Sequence, residues 1–310
     1  MAITCILLAT PEFAIPTAQA LLQSPAVTLI GVLTRPDEPV GRKQVRTPPP
    51  MAVWATEHQL SLRQPQAKGE LAAVMRELQP DVAVVVAYGK LIPPDALAVP
   101  RFGYVNVHPS LLPKYRGPSP MHAAIANGDT ETGISIMCLD AEMDHGPILA
   151  QQVVPLTDTM TRLQLERLLA TCGAELLLRT LPAYVNGQCT PMSQDDARAT
   201  YCKLLTRADG QLDWRVPATS IERKVRAYEG WPGTWCLAPN GKRLKILRLR
   251  MGTATREAPG TLVMDDASIA VAAGDGRSLW LDLVQPEGGV VMEGVAFARG
   301  LHRTDVLRLM

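Results

Sequence analysis

Strand-length apolar runs that alternate with helical segments limit the fold of the first 187 residues more than any other feature. Residues 3–9, 27–33 and 81–87 are nearly continuous apolar runs, a pattern typical of strands covered on both faces. Further strands are predicted at 103–107, 133–139 and 148–154, and helices at 120–128 and 161–187. This alternation predicts an α/β fold with a Rossmann-like, mostly parallel sheet and helices on both faces.

The pattern changes after Gly187. Residues 190–208 are polar and lack periodicity, which predicts a linker. A helix and several short alternating segments separated by turn residues follow between residues 209 and 310. Short strands at this spacing predict a small β-barrel or sandwich. The predicted domains are therefore a larger α/β domain at 1–189 and a smaller C-terminal domain at 209–310.

The composition excludes several classes of protein. The 310 residues carry a formal charge of +1, so any binding of nucleic acid must come from local clusters. The 6 cysteines include no CxxC pair, which argues against a zinc ribbon and a disulfide scaffold. The N-terminal apolar run lacks a preceding Lys or Arg, and no run of 18 apolar residues occurs, so neither a signal peptide nor a membrane span is expected. A soluble cytoplasmic protein is predicted.

An Asn and a His lie two residues apart at the end of one predicted strand, before the turn-rich loop of NVHPSLLPKYRGPSP (106–120). Because side chains alternate along a strand, Asn106 and His108 share a face, and His108 lies where the strand ends. Ligands bind outside the carboxyl ends of parallel strands. Asn106 can donate to a developing oxyanion and His108 can move a proton near neutral pH. The pair therefore fits acyl transfer without a covalent intermediate.

A carboxylate partner for His108 is expected on LDAEMDHGPIL (139–149), because this loop follows the next strand and should reach the same edge of the sheet. Asp140, Glu142 and Asp144 compete for the role, and the turn at His145–Gly146–Pro147 would point Asp144 toward the sheet. A solvated acidic loop is an equal alternative. A metal site of Asp140, Asp144 and His145 is a weaker one, since no HExxH motif or Cys cluster supports it, and no metal is predicted.

The turn after the first strand, ATPEFAIP, contains neither GxGxxG nor a P-loop. No glycine-rich loop is therefore predicted to hold a phosphate, which argues against a nucleotide cofactor.

The string NVHPSLLPKYRG, with AYGKLIP before it and MDHGPIL after it, resembles the core of the methionyl-tRNA formyltransferase family. TPEFAIP near the start, DWRVPATSIERKVRAYEGWPGTW in the second domain and QPEGG near the end extend the resemblance over essentially the whole chain. The resemblance implies a formyltransferase fold followed by an OB-like, tRNA-binding barrel.

The resemblance also implies an activity. The formyl group of 10-formyltetrahydrofolate would pass to the α-amine of initiator methionyl-tRNA, giving N-formylmethionyl-tRNA for translation initiation without a metal. Asn106, His108 and Asp144 match the family's catalytic residues. The positions that match its folate-binding residues are Tyr88, Gly89, Ser110, Leu111, Leu112 and Pro113. A cytoplasmic monomer is implied.

Two basic regions are predicted to bind tRNA. Within the loop at 35–50, Arg42, Lys43 and Arg46 match the family's basic insertion. Between residues 221 and 250 only Glu222 and Glu229 oppose the basic residues, which are Arg223, Lys224, Arg226, Lys242, Arg243, Lys245, Arg248 and Arg250. Lys242, Arg243 and Lys245 are the predicted contacts, since a basic strand face suits a nucleic acid backbone. A solvated surface is the alternative in both regions.

The chain departs from the family pattern at three places. Ala9 replaces a usual Gly, His145 replaces a usual Thr, and residues 288–291 lack the usual basic residues after QPEG. None of these changes removes a predicted catalytic residue.

Four other functions are compatible with the sequence. An amino sugar nucleotide formyltransferase shares the two-domain plan, but the basic regions favour tRNA. A glycinamide ribonucleotide enzyme lacks a use for the second domain. An inactive RNA-binding protein and a formyl-folate hydrolase are the alternatives from other classes.

Overall fold

The computed structural model describes residues 2–41, 43–67, 69–264, 268–301 and 307–310. The chain forms two compact units. The first unit comprises Met1–Pro120, Glu131–Pro155 and Glu166–Cys202. The second comprises Met121–Thr130, Leu156–Leu165 and Lys203–Met310.

A seven-stranded sheet forms the centre of the first unit, in the order β5-β2-β1-β6-β7-β8-β9. The first five strands in this order are parallel, and β8 and β9 each pair antiparallel with the preceding one. The strands are β1 (Ile3–Ala9), β2 (Val27–Leu33), β5 (Leu62–Arg63), β6 (Val82–Val86), β7 (Tyr104–His108), β8 (Glu131–Cys138) and β9 (Ile148–Pro155). The prediction of a mostly parallel sheet is confirmed.

Helices connect these strands, as the alternating sequence pattern predicts. They are α1 (Ile15–Gln23), α2 (Pro50–Glu57), α3 (Glu70–Leu78), α4 (Pro94–Leu97), α5 (Pro120–Asn127) and α6 (Arg162–Val185). All five residues of β6 are buried, which explains why its sequence is an unbroken apolar run. Gly173 in α6 lies against β7, where an added Cβ would approach Val107 Cγ1 to 2.8 Å. The face of β7 that carries Val107 is therefore covered by α6.

Among the described residues, α6 alone is long and apolar enough to cross a membrane by length and composition. Half of its most apolar window is buried inside the fold, as in the core helix of a soluble protein. Leu165, Leu169 and Leu177 are fully buried, so this helix packs as part of the protein core.

The segment at 35–50, predicted as a loop, contains a short antiparallel hairpin of β3 (Glu38–Val40) and β4 (Val45–Thr47). Every residue of the two strands is exposed. Gly41 in the connecting turn has φ +73°, a conformation that favours glycine. The hairpin therefore presents its turn to solvent.

The second unit contains an antiparallel sheet in the order β10-β11-β14-β13-β12, with β15 added on β14. The strands are β10 (Thr234–Leu237), β11 (Arg243–Ala254), β12 (Leu262–Met264), β13 (Ile269–Ala272), β14 (Arg277–Pro286) and β15 (Met292–Glu293), and the helices are α7 (Ala218–Ala227) and α8 (Gly294–Arg299). Ile221 and Val225 of α7 join the apolar core that the strands form.

The C-terminal residues join the two edge strands of this sheet. Leu237 of β10 exchanges two backbone hydrogen bonds with Met310, and Leu262 of β12 donates to Leu307. Because β10 and β12 are the opposite edges of the sheet, residues 307–310 close it into a small barrel. The predicted barrel architecture of the C-terminal part is confirmed.

Candidate active site

Strand β7 brings Asn106 and His108 together. Asn106 pairs with Met137 of β8 and His108 pairs with Ser135, and the alternation of side chains places both on one face. Asn106 is 8% exposed and His108 is 4% exposed. Both polar side chains are therefore held inside the protein at the end of a fully buried strand.

The two ring nitrogens of His108 face two different oxygen atoms. Nε2 lies 3.0 Å from the carbonyl oxygen of Tyr115, and Nδ1 lies 3.7 Å from Oδ2 of Asp144. A carbonyl oxygen can only accept a hydrogen bond, so Nε2 carries a proton in this arrangement. Nδ1 is therefore the nitrogen that can change its protonation state next to the carboxylate.

Asp144 and Tyr115 both have left-handed backbone conformations, with φ +50° and φ +62°. Such conformations are costly for residues other than glycine and occur where the surrounding structure enforces them. The Asp144 carboxylate also accepts a 2.8 Å hydrogen bond from the Gly117 amide. The backbone on both sides of His108 is thus bent so that one oxygen atom faces each ring nitrogen.

Asp144 reaches His108 by a different route from the one the sequence predicts. Strand β8 runs antiparallel to β7, with Cys138 opposite Val105. The loop after β8 therefore starts near Val105, at the end of β7 opposite to His108. The prediction assumed that this loop would start at the same end as His108, and that assumption is wrong. The loop instead turns back along β7 before Ile148 pairs with Met137.

Asp140, another acidic residue of this loop, lies beside a different histidine. Asp140 accepts from the Glu142 amide at 2.9 Å and lies 2.6 Å from Nδ1 of His145. The hydrogen bond to Asp140 is the main reason that the pKa of His145 is raised. Among the described residues, no group of three or more His, Cys, Asp and Glu could hold a metal ion. Asp144 is the carboxylate of this loop that lies next to His108.

Residues 192–202, in the segment predicted as a linker, pack against the loop that follows β7. Tyr201 forms a parallel bridge with Arg116, and Met192 pairs with Ile148. Arg116 is 2% exposed. We call residues 192–202 the strap, and no periodicity or apolar pattern in its sequence indicates this role.

The loop at Ser110–Pro113 is held by hydrogen bonds to Ser135 and Gln151. The Ser135 hydroxyl accepts from Leu112 N at 3.0 Å and donates to Ser110 O at 2.6 Å. The Gln151 amide donates to the Ser135 hydroxyl at 2.8 Å and to Leu112 O at 2.9 Å. Ser110 is fully buried and its hydroxyl donates to Lys114 O. These bonds shape the loop and leave Leu111 and Pro113 partly exposed.

Tyr88 and Gly89 differ in accessibility. Tyr88 is 1% exposed and packs among apolar residues such as Ile6 and Met75. Burial raises the pKa of its hydroxyl to about 12, and the described residues give that hydroxyl no hydrogen-bond partner. Gly89 is exposed, with φ +77°. The backbone of Gly89 is therefore accessible to a ligand, whereas the side chain of Tyr88 is not.

The predicted tRNA contacts of the first basic region are exposed where they are described. Lys43 lies in the turn between β3 and β4, and Arg46 lies on β4. Arg42 lies outside the described residues. The structure therefore places two of the three predicted residues on the exposed hairpin.

The three predicted residues of the second basic region lie on β11 and in the turn before it. Lys245 is exposed between buried Leu244 and Ile246, Lys242 lies in the preceding turn, and the Arg243 guanidinium lies 4.2 Å from the centre of the Trp235 ring. A bulge after Ile246 changes the alternation. Arg250 pairs with Asp282 of β14 at 2.8 Å. Because Asp282 lies outside residues 221–250, a count of the charges in that range does not include this neutralising partner.

Comparison with known proteins agrees with these observations. A family described as "Formyl transferase" matches residues 1–181, and one described as "Formyl transferase, C-terminal domain" matches residues 204–302. A methionyl-tRNA formyltransferase of Roseiflexus castenholzii is 45% identical over 100% of this chain and 99% of its own length. The chain belongs to the methionyl-tRNA formyltransferase family. The family predicted from the sequence motifs is thereby confirmed.

A further methionyl-tRNA formyltransferase, of Halalkalibacterium halodurans, is 38% identical over 95% of this chain and 94% of its own length. Among solved structures, HypX of Aquifex aeolicus in complex with tetrahydrofolic acid matches with a TM-score of 0.62 at 17% identity, covering 96% of this chain and 47% of HypX. An N-formyltransferase of Helicobacter canadensis, with folinic acid and dTDP-3-aminofucose, matches with a TM-score of 0.66 at 16% identity, covering 91% and 99%. At these identities the two structures support the formyltransferase fold alone.

Proposed function

We propose that this protein transfers the formyl group of 10-formyltetrahydrofolate to the α-amine of initiator methionyl-tRNA, producing N-formylmethionyl-tRNA for translation initiation. The observation that carries the proposal is the placement of Asn106 and His108 on one face of β7, with Asp144 beside His108, in a chain that matches a member of this family over its whole length.

Asn106 and His108 would stabilise the reaction's oxyanion. When the amine attacks the formyl carbon, negative charge develops on the formyl oxygen, and the side-chain amide of Asn106 can donate a hydrogen bond to it. No described residue forms a hydrogen bond with that amide, so it is available to a substrate. His108 lies two residues further on the same face of β7, and its Nδ1 can supply the second donor once it has taken a proton from the attacking amine.

Asp144 and Tyr115 would orient the imidazole of His108. The Tyr115 carbonyl accepts from Nε2 and the Asp144 carboxylate faces Nδ1, so Nδ1 is the nitrogen that can exchange a proton with a substrate. The amine must lose a proton after attack and N10 of the folate must gain one as the carbon–nitrogen bond breaks. His108 is placed to carry that proton, and no covalent enzyme intermediate is needed.

The folate would lie against the loop at Ser110–Pro113 and the turn at Tyr88–Gly89. The hydrogen bonds from Ser135 and Gln151 keep the first loop rigid, which is what a preorganised ligand site requires. Because Tyr88, Ser110 and Leu112 are buried, direct contacts would come from the partly exposed Leu111 and Pro113 and from the backbone of Gly89.

Initiator methionyl-tRNA would be held by the hairpin residues Arg42, Lys43 and Arg46 and by Lys242, Arg243 and Lys245. Exposed basic residues on a hairpin turn and on a strand suit contacts with phosphates. We also propose a cytoplasmic monomer that does not bind membranes. The proposed division is a catalytic domain at 1–189, a linker at 190–208 whose residues 192–202 form a segment packed on the first unit, and an OB-like tRNA-binding domain at 209–310.

One parallel assay tests the function. Purified protein is given 10-formyltetrahydrofolate with initiator methionyl-tRNA, elongator methionyl-tRNA, a dTDP-linked amino sugar or no acceptor, and formylated product and released folate are measured. Formylation of the initiator tRNA alone is expected. Transfer to the sugar, or loss of formyl without an acceptor, would overturn the proposed acceptor.

The tRNA contacts are tested with Lys43→Ala and Arg46→Ala. Each variant should raise the KM for tRNA without changing the KM for folate, and should reduce the salt dependence of tRNA binding by about one unit of slope per lost phosphate contact. Arg76→Ala on α3, which changes an exposed Arg paired with Asp95, is the control. Equal effects in all three variants would contradict a specific role of the hairpin.

A further inference from the structure

The strap satisfies the buried charge of Arg116. Nε of Arg116 donates to Gln194 Oε1 at 3.0 Å, Nη1 to the Tyr201 hydroxyl at 3.2 Å and Nη2 to Asp196 Oδ1 at 2.7 Å. All of these acceptors belong to residues 194–201. Because an unpaired buried charge is strongly unfavourable, Arg116 binds the strap firmly to the loop that follows β7.

The strap also holds the backbone of this loop. Arg116 N donates to Thr200 O and Cys202 N donates to Arg116 O, both at 2.8 Å. Tyr115 N donates to the Thr200 hydroxyl at 2.9 Å. Tyr115 is the residue whose carbonyl faces His108 Nε2, so the strap supports one of the two oxygens that orient the imidazole.

Gln194 connects the strap to the turn that carries Asp144, whose carboxylate oxygen faces Nδ1 of His108. Its side-chain amide donates to the carbonyl oxygens of Asp144 and Gly146, each at 2.8 Å. The same side chain accepts from Arg116. One amide group therefore joins the turn that carries Asp144 to the loop that carries Tyr115.

We propose that Gln194 is a positioning residue for catalysis, which keeps the Asp144 carboxylate beside His108 by tying the backbone of residues 144 and 146 to Arg116. The proposal rests on the proposed formyl transfer through His108 and Asp144. Neither Gln194 nor the strap touches the reacting atoms in this proposal; they act through Asp144 and Tyr115.

The Asp144 turn needs such support for two reasons. Residues 141–143 are exposed, so the part of the loop before Asp144 is held by little packing. Asp144 itself has φ +50°, which is unfavourable for a residue with a side chain. Without the two bonds from Gln194, the turn can relax and carry the carboxylate away from Nδ1. A displacement of about 1 Å can cost on the order of 10²-fold in rate.

The test compares Gln194→Met with Gln194→Glu and a control. Methionine has a similar length but neither donates nor accepts as an amide does. Glutamate retains an acceptor for Arg116 and loses both donors. Gln188→Met is the control, because Gln188 is exposed and its side chain forms no hydrogen bond with the described residues. All are assayed for formyl transfer to initiator methionyl-tRNA, with wild-type turnover as the test of the proposed function itself.

Both Gln194 variants should lose about 10- to 100-fold in kcat, with the KM values for folate and tRNA within about twofold of wild type. Gln188→Met should match wild type. The ¹⁵N resonances of the His108 ring, measured without substrates, should move in both Gln194 variants and stay in place in Gln188→Met. Active wild-type protein together with unchanged kcat and unchanged His108 resonances in Gln194→Met would overturn the positioning role. A rise of KM alone would overturn it as well.

Discussion

The Asp144 carboxylate lies 3.7 Å from Nδ1 of His108, which is close enough for charge attraction but longer than a hydrogen bond. The same carboxylate already accepts a 2.8 Å bond from Gly117 N. Because Nε2 already binds the Tyr115 carbonyl, this separation leaves Nδ1 able to exchange a proton with a substrate.

Replacing Asn106 with alanine should reduce kcat by roughly 10²–10³-fold, because one oxyanion donor is lost. His108→Ala should lose at least as much, since it removes a donor and the proton carrier together. Steady-state kinetics with initiator methionyl-tRNA gives the result, and circular dichroism checks folding. Near-normal turnover in either folded variant would refute the mechanism.

Ser135→Ala should disturb the loop at Ser110–Pro113. The substitution removes the acceptor of Leu112 N and Gln151 and the donor to Ser110 O, so we expect unfolding to become easier by about 2–3 kcal/mol. The KM for folate should rise more than kcat falls. Ser278→Ala, which removes one bond to Thr253 O in the second unit, should leave the KM for folate unchanged.

Tyr88→Phe tests whether the Tyr88 hydroxyl binds folate. The hydroxyl is buried without a partner among the described residues, and its removal should raise the free energy of unfolding by about 1 kcal/mol or leave it unchanged. The KM for folate should equal that of wild type. An increased KM in this variant would mean that the tyrosine turns toward the ligand on binding.

Gly117→Ala should be far more harmful than Gly187→Ala. An added Cβ at Gly117 would lie 2.2 Å from the carbonyl oxygen of Cys202, whereas Gly187 has no atom within 4 Å of that position. Both glycines have positive φ, at +113° and +70°, so Gly187→Ala measures backbone strain alone, roughly 1 kcal/mol. Gly117→Ala should lower both Tm and kcat much more than Gly187→Ala does. Equal decreases in the two variants would contradict the close approach of Cys202 in the strap to Gly117.

Stability should depend on pH through His145, which lies 2.6 Å from Asp140 and 3.5 Å from Asp196. The hydrogen bond to Asp140 and the nearby acidic charges raise the pKa of His145. A raised pKa means that the folded state binds the proton more tightly, so this stabilisation is complete below the ordinary pKa of about 6.5 and is lost as pH rises through the raised value.

The comparison of wild type with His145→Asn measures this contribution. The difference in Tm should be largest near pH ~5.5 and should shrink by pH ~8.5. The partner Asp196 should stay ionised across this range, because its hydrogen bond from Arg116 lowers its pKa. A Tm difference that does not change with pH would show that His145 acts by packing alone.

Strands β1, β2 and β6 were predictable because each is a single apolar run of the right length. The two-residue β5 and the exposed hairpin strands β3 and β4 were not predicted, because they have no such run. Asn106 and His108 followed from strand alternation, which is a local property. Asp144 was chosen correctly as the neighbour of His108, but the direction of β8 was not, because antiparallel and parallel strands with buried faces have similar sequences.

The residues that sequence reasoning missed all act through long-range hydrogen bonds. Ser135 and Gln151 lie on β8 and β9, where a single polar residue looks like ordinary strand alternation. Gln194 lies in a polar segment whose composition indicates a linker. Nothing in a local window reveals that the partner of such a side chain is a carbonyl 50 residues away.

The parallel bridge between Arg116 and Tyr201 has a practical consequence for building chimeric enzymes. A catalytic fragment that stops at residue 189 would lack Gln194, Asp196 and Tyr201 and would leave the Arg116 guanidinium without these three acceptors. A junction placed after Cys202, with residues 203–310 exchanged between relatives, keeps the strap and the loop that it supports in the same parent. The three hydrogen bonds of the Arg116 guanidinium then stay intact.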